Sequence, residues 1–304
     1  MTEDSVATRC GFVAILGAPN VGKSTLINLA VGTKVSIVSP KVQTTRARVL
    51  GIAMDGPSQL IFVDTPGIFS PRRRLDRAMV AAAWTGAADA DMVLLLVDAK
   101  NGLDAETDHI IGKLASQNRR AIVAINKVDL VKKPALLDLA AALDKRGIFD
   151  RIFMISATGG EGVRDLLDFL ASAAPEGPWH FPEDQITDLP SRMLAAEITR
   201  EQLYLQLEQE LPYATMVETE QWEERDDGSI SVHQVVFVER DGQKGIVLGK
   251  GGQRIKSIGE AARRELEALF ERRVHLFLFV KVRPRWAEDS GLYGDWGLDY
   301  NAKS

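Results

Sequence analysis

At 304 residues, with 45% hydrophobic and 26% charged side chains, the chain has the length of two domains and the balance of a folded protein, which excludes a disordered or fibrous class. A single cysteine, Cys10, rules out an internal disulfide and fits a reducing cytosol. The polar start, MTEDSVATRC, lacks the order of a secretory leader, and apolar runs such as residues 92–97 are too short to span a bilayer, so a soluble cytoplasmic protein is expected.

The first 170 residues alternate short apolar runs with helical patterns. FVAILG (12–17), QLIFVDTPG (59–67), DMVLLLVDA (91–99), AIVAINKVD (121–129) and RIFMISA (151–157) each end in a polar loop. Strands that are apolar on both faces and separated by helices predict an α/β fold, a mostly parallel sheet with helices on it. Ligands bind such sheets beyond the carboxyl ends of the strands. Residues 173–188, with Pro175, Gly177, Pro178 and Pro182, read as a linker. Beyond them the pattern gives a long helix (191–210) and two strands (about 213–222 and 230–239) around the turn ERDDGS. A short helix, a glycine loop, a second helix (253–271) and a last strand (274–282) follow. Charge is unevenly spread. Residues 183–229 hold thirteen Asp/Glu against three Arg/Lys, a net of −10, and residues 240–285 hold twelve Arg/Lys against five Asp/Glu, a net of +7. A basic region of this kind suits a polyanion, although a solvated charged face is the plain alternative.

GAPNVGKS (17–24) fits G-x-x-x-x-G-K-[ST] with Gly17, Gly22, Lys23 and Ser24, and it lies between a strand and a helix as a phosphate loop must. Backbone N–H groups along Ala18, Pro19, Asn20, Val21 and Thr25 complete the cradle, with Pro19 contributing only its turn. Lys23 is expected to reach the β and γ phosphates and Ser24 to ligate Mg²⁺. In DTPG (64–67), Asp64 can hold Mg²⁺ through water and Gly67 can give its N–H to the γ-phosphate, with Thr65, Pro66 and Ile68 in the same loop. In NKVD (126–129), Asp129 can accept from both N1–H and the 2-amino group of guanine, which adenine cannot offer; Asn126, Lys127 and Val128 flank it. In SAT (156–158), a backbone N–H of Ser156 or Ala157 can meet guanine O6. Any one motif is weak. Four in order, each at a strand end, resemble the P-loop GTPase superfamily over residues 10–172.

That resemblance implies further roles. A switch threonine must complete the metal shell and sense the γ-phosphate; Thr45, directly before Arg46, is the choice by comparison with related GTPases, and Thr44 is the alternative. Lys23, Thr45 and Gly67 are thus the candidate catalytic set. Ile68 stands where Ras-like proteins carry a water-orienting glutamine, so slow intrinsic hydrolysis of GTP to GDP is expected. GTPases with PN in the first loop often bind K⁺, which makes Asn20 a candidate ligand for it. PRRR (71–74) reads as a polyanion contact or a solvated surface.

GKGG (249–252) is a different loop. Its lysine lies between glycines, no Ser or Thr follows, and it joins two helices. The G-x-x-G spacing within the order α-β-β-α-α-β matches a KH module, whose loop clamps the backbone of about four single-stranded nucleotides. Gly249, Gly251 and Gly252 allow close approach, Lys250, Arg254 and Lys256 supply charge, and Ile255 offers an apolar floor for bases. Ile246, Val247 and Leu248 serve the floor or the core. A degenerate KH fold that binds protein is the rival.

A GTPase domain, a proline-rich linker and a KH domain together resemble the bacterial Era GTPases over residues 10–285, with GAPNVGKSTLIN, QTTR, DTPG, NKVD, FPEDQITD, ELPY and RDGQKGIVLGKGG carrying the likeness. The division expected is a GTPase domain at 9–175, a linker at 176–190, a type II KH domain at 191–285 and a tail at 286–304. The resemblance implies a monomeric, GTP-dependent factor that binds the 3′ region of 16S rRNA and supports maturation of the 30S ribosomal subunit. It also implies some peripheral association with the inner face of the cell membrane. Trp296 and Tyr300 in the tail are expected on the KH domain or at RNA.

Overall fold

A computed structural model describes residues 7–41, 44–71 and 73–302, which leaves Arg72 of PRRR outside the described residues. The chain forms two compact units. The first takes in residues up to 36, 45–188 and those from 293 onward. Its sheet contains β1 (Arg9–Leu16), β2 (Val49–Asp55), β3 (Ser58–Asp64), β4 (Met92–Asp98), β5 (Ala121–Asn126) and β6 (Phe149–Met154), in the order β2-β3-β1-β4-β5-β6. All pairs are parallel except the β2–β3 hairpin, which turns at Gly56.

Helices α1 (Lys23–Val31) and α5 (Val163–Ala173) lie on one face, and α2 (Arg74–Asp89), α3 (Ala105–Ser116) and α4 (Lys133–Asp144) on the other. Alternate residues of β1 serve the two faces. Val13 and Ile15 pack with Leu26, Ile27 and Leu166, whereas Ala14 and Leu16 pack with Ala83, Ile110 and Leu143. This double burial is why the strands read as unbroken apolar runs. Asp104 starts α3 by accepting a hydrogen bond of 2.8 Å from the Thr107 N–H. Strand register fixes the site. Ile15 pairs with Asp64 and Asp98 with Asn126, so the polar loops leave the sheet side by side.

Residues 176–188, expected as a linker, belong to this unit. The Ile52 N–H donates to the Ile186 carbonyl (2.9 Å) and the Leu50 N–H to Asp188 (3.0 Å), so the segment covers the open edge of β2. Buried Gln59 anchors it by accepting from the N–H groups of His180 and Phe181 and donating to the Phe181 carbonyl. Proline content signalled the absence of a helix or strand there, not the absence of packing.

The second unit takes in residues 37–44 and 189–292. It contains α6 (Ser191–Gln206), β7 (Met216–Glu224), β8 (Ile230–Val238), α7 (Asp241–Leu248), α8 (Gln253–Phe270) and β9 (Val274–Val282), the expected order. β8 is central, antiparallel to β7 and parallel to β9. Leu194, Ile198 and Leu266 pack on Ile230, Val232 and Val274, and Leu203, Val247 and Ile258 on Val236, Val238 and Val280.

Trp296 and Tyr300, for which the KH domain was one expected dock, group with the first unit instead. Tyr293 and Leu298 pack against Ala78 and Met79 of α2 in the first unit. The Arg74 guanidinium lies 4.3 Å from the centre of the Tyr300 ring, and the Arg48 N–H donates to the Trp296 carbonyl at 3.3 Å. Two aromatic faces and a run of small residues on α2 explain the docking. Among the described residues no helix is long and apolar enough to cross a membrane.

Candidate nucleotide site and nucleic-acid loop

The first glycine loop leaves β1 at Gly17 and enters α1 at Lys23. Gly22 has φ of 101°, and a Cβ there would lie 2.3 Å from Asn126 Nδ2, so no other residue fits. Ala18 and Val21 are buried, Pro19 and Thr25 half-buried, and Asn20 is exposed with a left-handed φ of 62°. Lys23 is buried, and its Nζ donates to the carbonyls of Gly17 (3.1 Å) and Ala18 (3.0 Å). Burial pulls its pKa down to about 8, against the opposing pull of Asp64.

Hydroxyls converge on Asp64. Ser24 Oγ donates to its Oδ2 at 3.0 Å, Thr45 Oγ1 at 3.2 Å and Ser36 Oγ at 2.5 Å. Ser24 and Thr45 lie 3.3 Å apart. Burial raises the Asp64 pKa, with the Ser36 hydroxyl, Lys23 and the other two hydroxyls opposing. Asp64 Oδ1 is buried without a hydrogen-bond partner. A carboxylate with an unused oxygen beside two hydroxyls is a hard-oxygen donor set, which fits Mg²⁺. Thr45, not Thr44, is the threonine in this cluster; the Thr44 hydroxyl donates to the Lys41 carbonyl.

The DTPG loop abuts the first loop. The Ile68 N–H donates to the Gly17 carbonyl at 3.1 Å, the Thr65 hydroxyl to the Ile15 carbonyl at 2.7 Å, and Pro66 is buried. Half-buried Gly67 follows. The Ile68 side chain packs in the core, so it presents nothing to a water at the site.

Asn126 braces loops. Its Nδ2 donates to the Val21 carbonyl at 2.7 Å and its Oδ1 accepts from the Ala157 N–H at 2.9 Å. Lys127, with φ of 65°, donates to the Asn20 carbonyl at 2.7 Å and to Asp98 at 2.6 Å. Lys127 thereby ties the NKVD loop to the first glycine loop. Val128 is buried, and Asp129 is exposed in a short turn after β5. The Ser156 N–H donates to the Glu161 carbonyl at 2.9 Å, so Ser156 and Ala157 both arrive with their amides in use. Truncating Asn126 to Ala orphans a buried carbonyl and a buried N–H, which should lower folding stability by about 3 kcal/mol. The midpoint of urea unfolding at unchanged slope reads this; a midpoint like the wild type's would deny Asn126 its bracing role.

In the second unit, GKGG forms a tight turn between α7 and α8. Gly249, Gly251 and Gly252 have φ of 72°, 58° and 78°. A Cβ at Gly249 would meet Arg254 Cβ at 2.7 Å. Lys250, Arg254 and Lys256 are exposed and Ile255 is half-buried, while Val247 is core. Arg254 Nη1 donates to the Ile246 carbonyl at 3.0 Å. An open groove of about 410 Å³ runs from Ile255 and Lys256 between α8 and β9, with Arg263 and His275 along it.

Residues 12–127 match the family described as 50S ribosome-binding GTPase, and residues 210–287 match the KH domain family. The chain is 57% identical to the GTPase Era of Rhizobium meliloti (strain 1021) over 97% of this chain and 95% of the relative. To the GTPase Era of Bradyrhizobium sp. (strain ORS 278) it is 60% identical over 97% and 96%. This chain belongs to the Era GTPase family. Two Era crystal structures superpose on it with a TM-score of 0.90 and 39% identity over 95% of this chain and 99% of theirs. One is in complex with MgGDPNP and nucleotides 1506–1542 of 16S ribosomal RNA. The other, a variant from Aquifex aeolicus, is bound to GDP·AlF₄⁻.

The protein is therefore a GTPase with a KH domain. Sequence reading of this Era-family chain missed Ser36, whose hydroxyl makes the shortest of the three bonds to Asp64, and Asp98, which pairs with Lys127. Asp98 could have been found, because it ends a strand as Asp64 and Asn126 do.

Proposed function

We propose that this GTPase binds the 3′ region of 16S rRNA through its KH unit, that binding depends on the nucleotide held by the first unit, and that the cycle supports maturation of the 30S subunit. The reading rests on one observation above all. An Era structure similar over 95% of this chain holds MgGDPNP and 16S rRNA nucleotides together, and this chain keeps both glycine loops that would receive them. In this reading Ser24, Thr45 and, through a water, Asp64 would hold Mg²⁺, which would offset the charge of the phosphates. Lys23 and the first-loop amides orient the phosphates, and Asp129 reads guanine. Lys250, Arg254 and Lys256 face the RNA backbone, and Gly249 and Gly252 let it approach.

If GTP favours RNA binding, RNA must favour GTP binding by the same factor. Anisotropy of a labelled 16S 3′-end oligonucleotide should show affinity about tenfold tighter with GDPNP than with GDP, a typical size for such coupling. Equal affinities would remove the coupling. Depletion of the protein should leave immature 16S rRNA in cells; mature rRNA under depletion would remove the assembly role.

A further inference from the structure

Three hydroxyls donate to Asp64 Oδ2, and two of them, Ser24 and Thr45, are those that would ligate Mg²⁺. Ser36 is the third. It is 4% exposed, and its Oγ lies 2.5 Å from Oδ2. It belongs to no helix or strand, so its place is set by what holds its backbone. The holder is Asn28 of α1.

Helix α1 ends at Gly32, whose φ of 81° turns the chain, and Val35 then packs in the same core cluster as Ile27. This brings residues 35 and 36 beside Asn28. Asn28 Oδ1 accepts from the N–H groups of Val35 and Ser36, both at 2.9 Å, and its Nδ2 donates to the Ser36 carbonyl at 2.7 Å. One carboxamide thus satisfies both the N–H and the carbonyl of Ser36. Ser24 and Asn28 are four residues apart, so they stand on one face of α1. That face sends one side chain to Asp64 and the other to the residue that reaches Asp64. All of these residues lie in the first unit.

A carboxylate that meets a metal through a water must keep its orientation, since the hydrogen bond to the water is directional. A donor fixed on Oδ2 sets the plane of the carboxylate. It therefore sets the direction of Oδ1, the buried oxygen with no hydrogen-bond partner among the described residues. Ser24 and Thr45 cannot do this independently of the metal, because they are its candidate ligands. Ser36 can, because its backbone is tied to α1.

We propose that Ser36 is a positioning residue for the Mg²⁺ site and that Asn28 positions Ser36. Ser36 holds Asp64 in orientation, and Asn28 carries that hold back to the helix that follows the phosphate loop. Neither residue is among those that the nucleotide motifs assign. The inference rests on the reading of Asp64 as the carboxylate that would hold Mg²⁺ through a water.

The test uses Ser36→Ala, Asn28→Ala and the double variant in the full-length protein, read by anisotropy of labelled GDPNP during Mg²⁺ titration. Ser36→Ala should raise the Mg²⁺ concentration for half-maximal binding about tenfold, the lower end of what losing a partner of a metal-holding group costs. Nucleotide affinity in EDTA should not change. Asn28→Ala should shift the midpoint in the same direction, and the double variant no further than Ser36→Ala, as expected of residues that act as a unit. An unchanged midpoint in Ser36→Ala would overturn the proposal. So would an equal loss of affinity in Mg²⁺ and in EDTA, since Ser36 would then serve the nucleotide or the fold and not the metal. Additive shifts in the double variant would overturn the link from Asn28 to Ser36. A wild-type midpoint in Asp64→Asn would instead remove the underlying reading of Asp64. Should Ser36→Ala fail to fold, Asn28→Ala is judged by the same outcomes.

Discussion

Replacing Asp129 by Asn is expected to weaken GTP use by a factor of about 10³–10⁴ and to admit XTP as a substrate, the scale found when a site loses a hydrogen-bond partner it was built for. An ionised carboxylate only accepts, so it matches two donors, the N1–H and 2-amino group of guanine. Asparagine offers one acceptor and one donor. Xanthine offers N1–H and a C2 carbonyl, which complement it. The exchange leaves Asn126 and Lys127, which brace the first loop, in place. Asp129 is exposed, so the substitution disturbs no packing. Comparing kcat/KM for GTP and XTP reads the result. An unchanged preference for GTP would move base recognition to other residues.

Gly252→Asp should reduce affinity for the 16S 3′-end oligonucleotide about 10- to 100-fold, with RNA-free GTP hydrolysis unchanged. The scale is that of losing one or two phosphate contacts and gaining a repulsion. Gly252 is the better of the loop's glycines for this purpose. A Cβ there meets nothing within 4 Å, whereas one at Gly249 would collide with Arg254. Its φ of 78° is also one that Asp tolerates better than most residues. A new carboxylate between Lys250 and Arg254 then acts through charge, not through misfolding. Retained RNA affinity would show that the loop does not carry the RNA, and would favour the protein-binding rival.

What could be read in the sequence was what local chemistry constrains. A phosphate loop fixes the spacing of Gly17, Gly22, Lys23 and Ser24, and strand ends fix where Asp64, Asn126 and Ser156 lie. The order of six elements in the second unit followed from periodicity and turns. What could not be read was pairing over long separations. Arg200, Glu201 and Gln202 look like a solvated stretch of helix, yet all three are buried. The partners of the first two, Thr44 and Val38, stand more than 150 residues earlier. The strap at residues 176–188 was hidden for the same reason, since Gln59, which anchors it, gives no local sign of its role. Asn126 was read only as a neighbour of Asp129, because the Val21 carbonyl and Ala157 N–H that it braces lie far from it in sequence.

The docking of the tail on α2 bears on how the molecule is made. The apolar stripe of Ala78 and Met79 is synthesised about two hundred residues before Tyr293 and Leu298, which cover it. During translation at about 5–20 residues per second, that stripe stays uncovered for on the order of ten seconds or more. The nucleotide unit can lay down its sheet from residues 9–154, but the helix that follows its DTPG loop acquires its last neighbours only when the KH unit has already emerged. A nascent chain halted before residue 293 would thus carry every nucleotide motif and still lack the outer cover of α2.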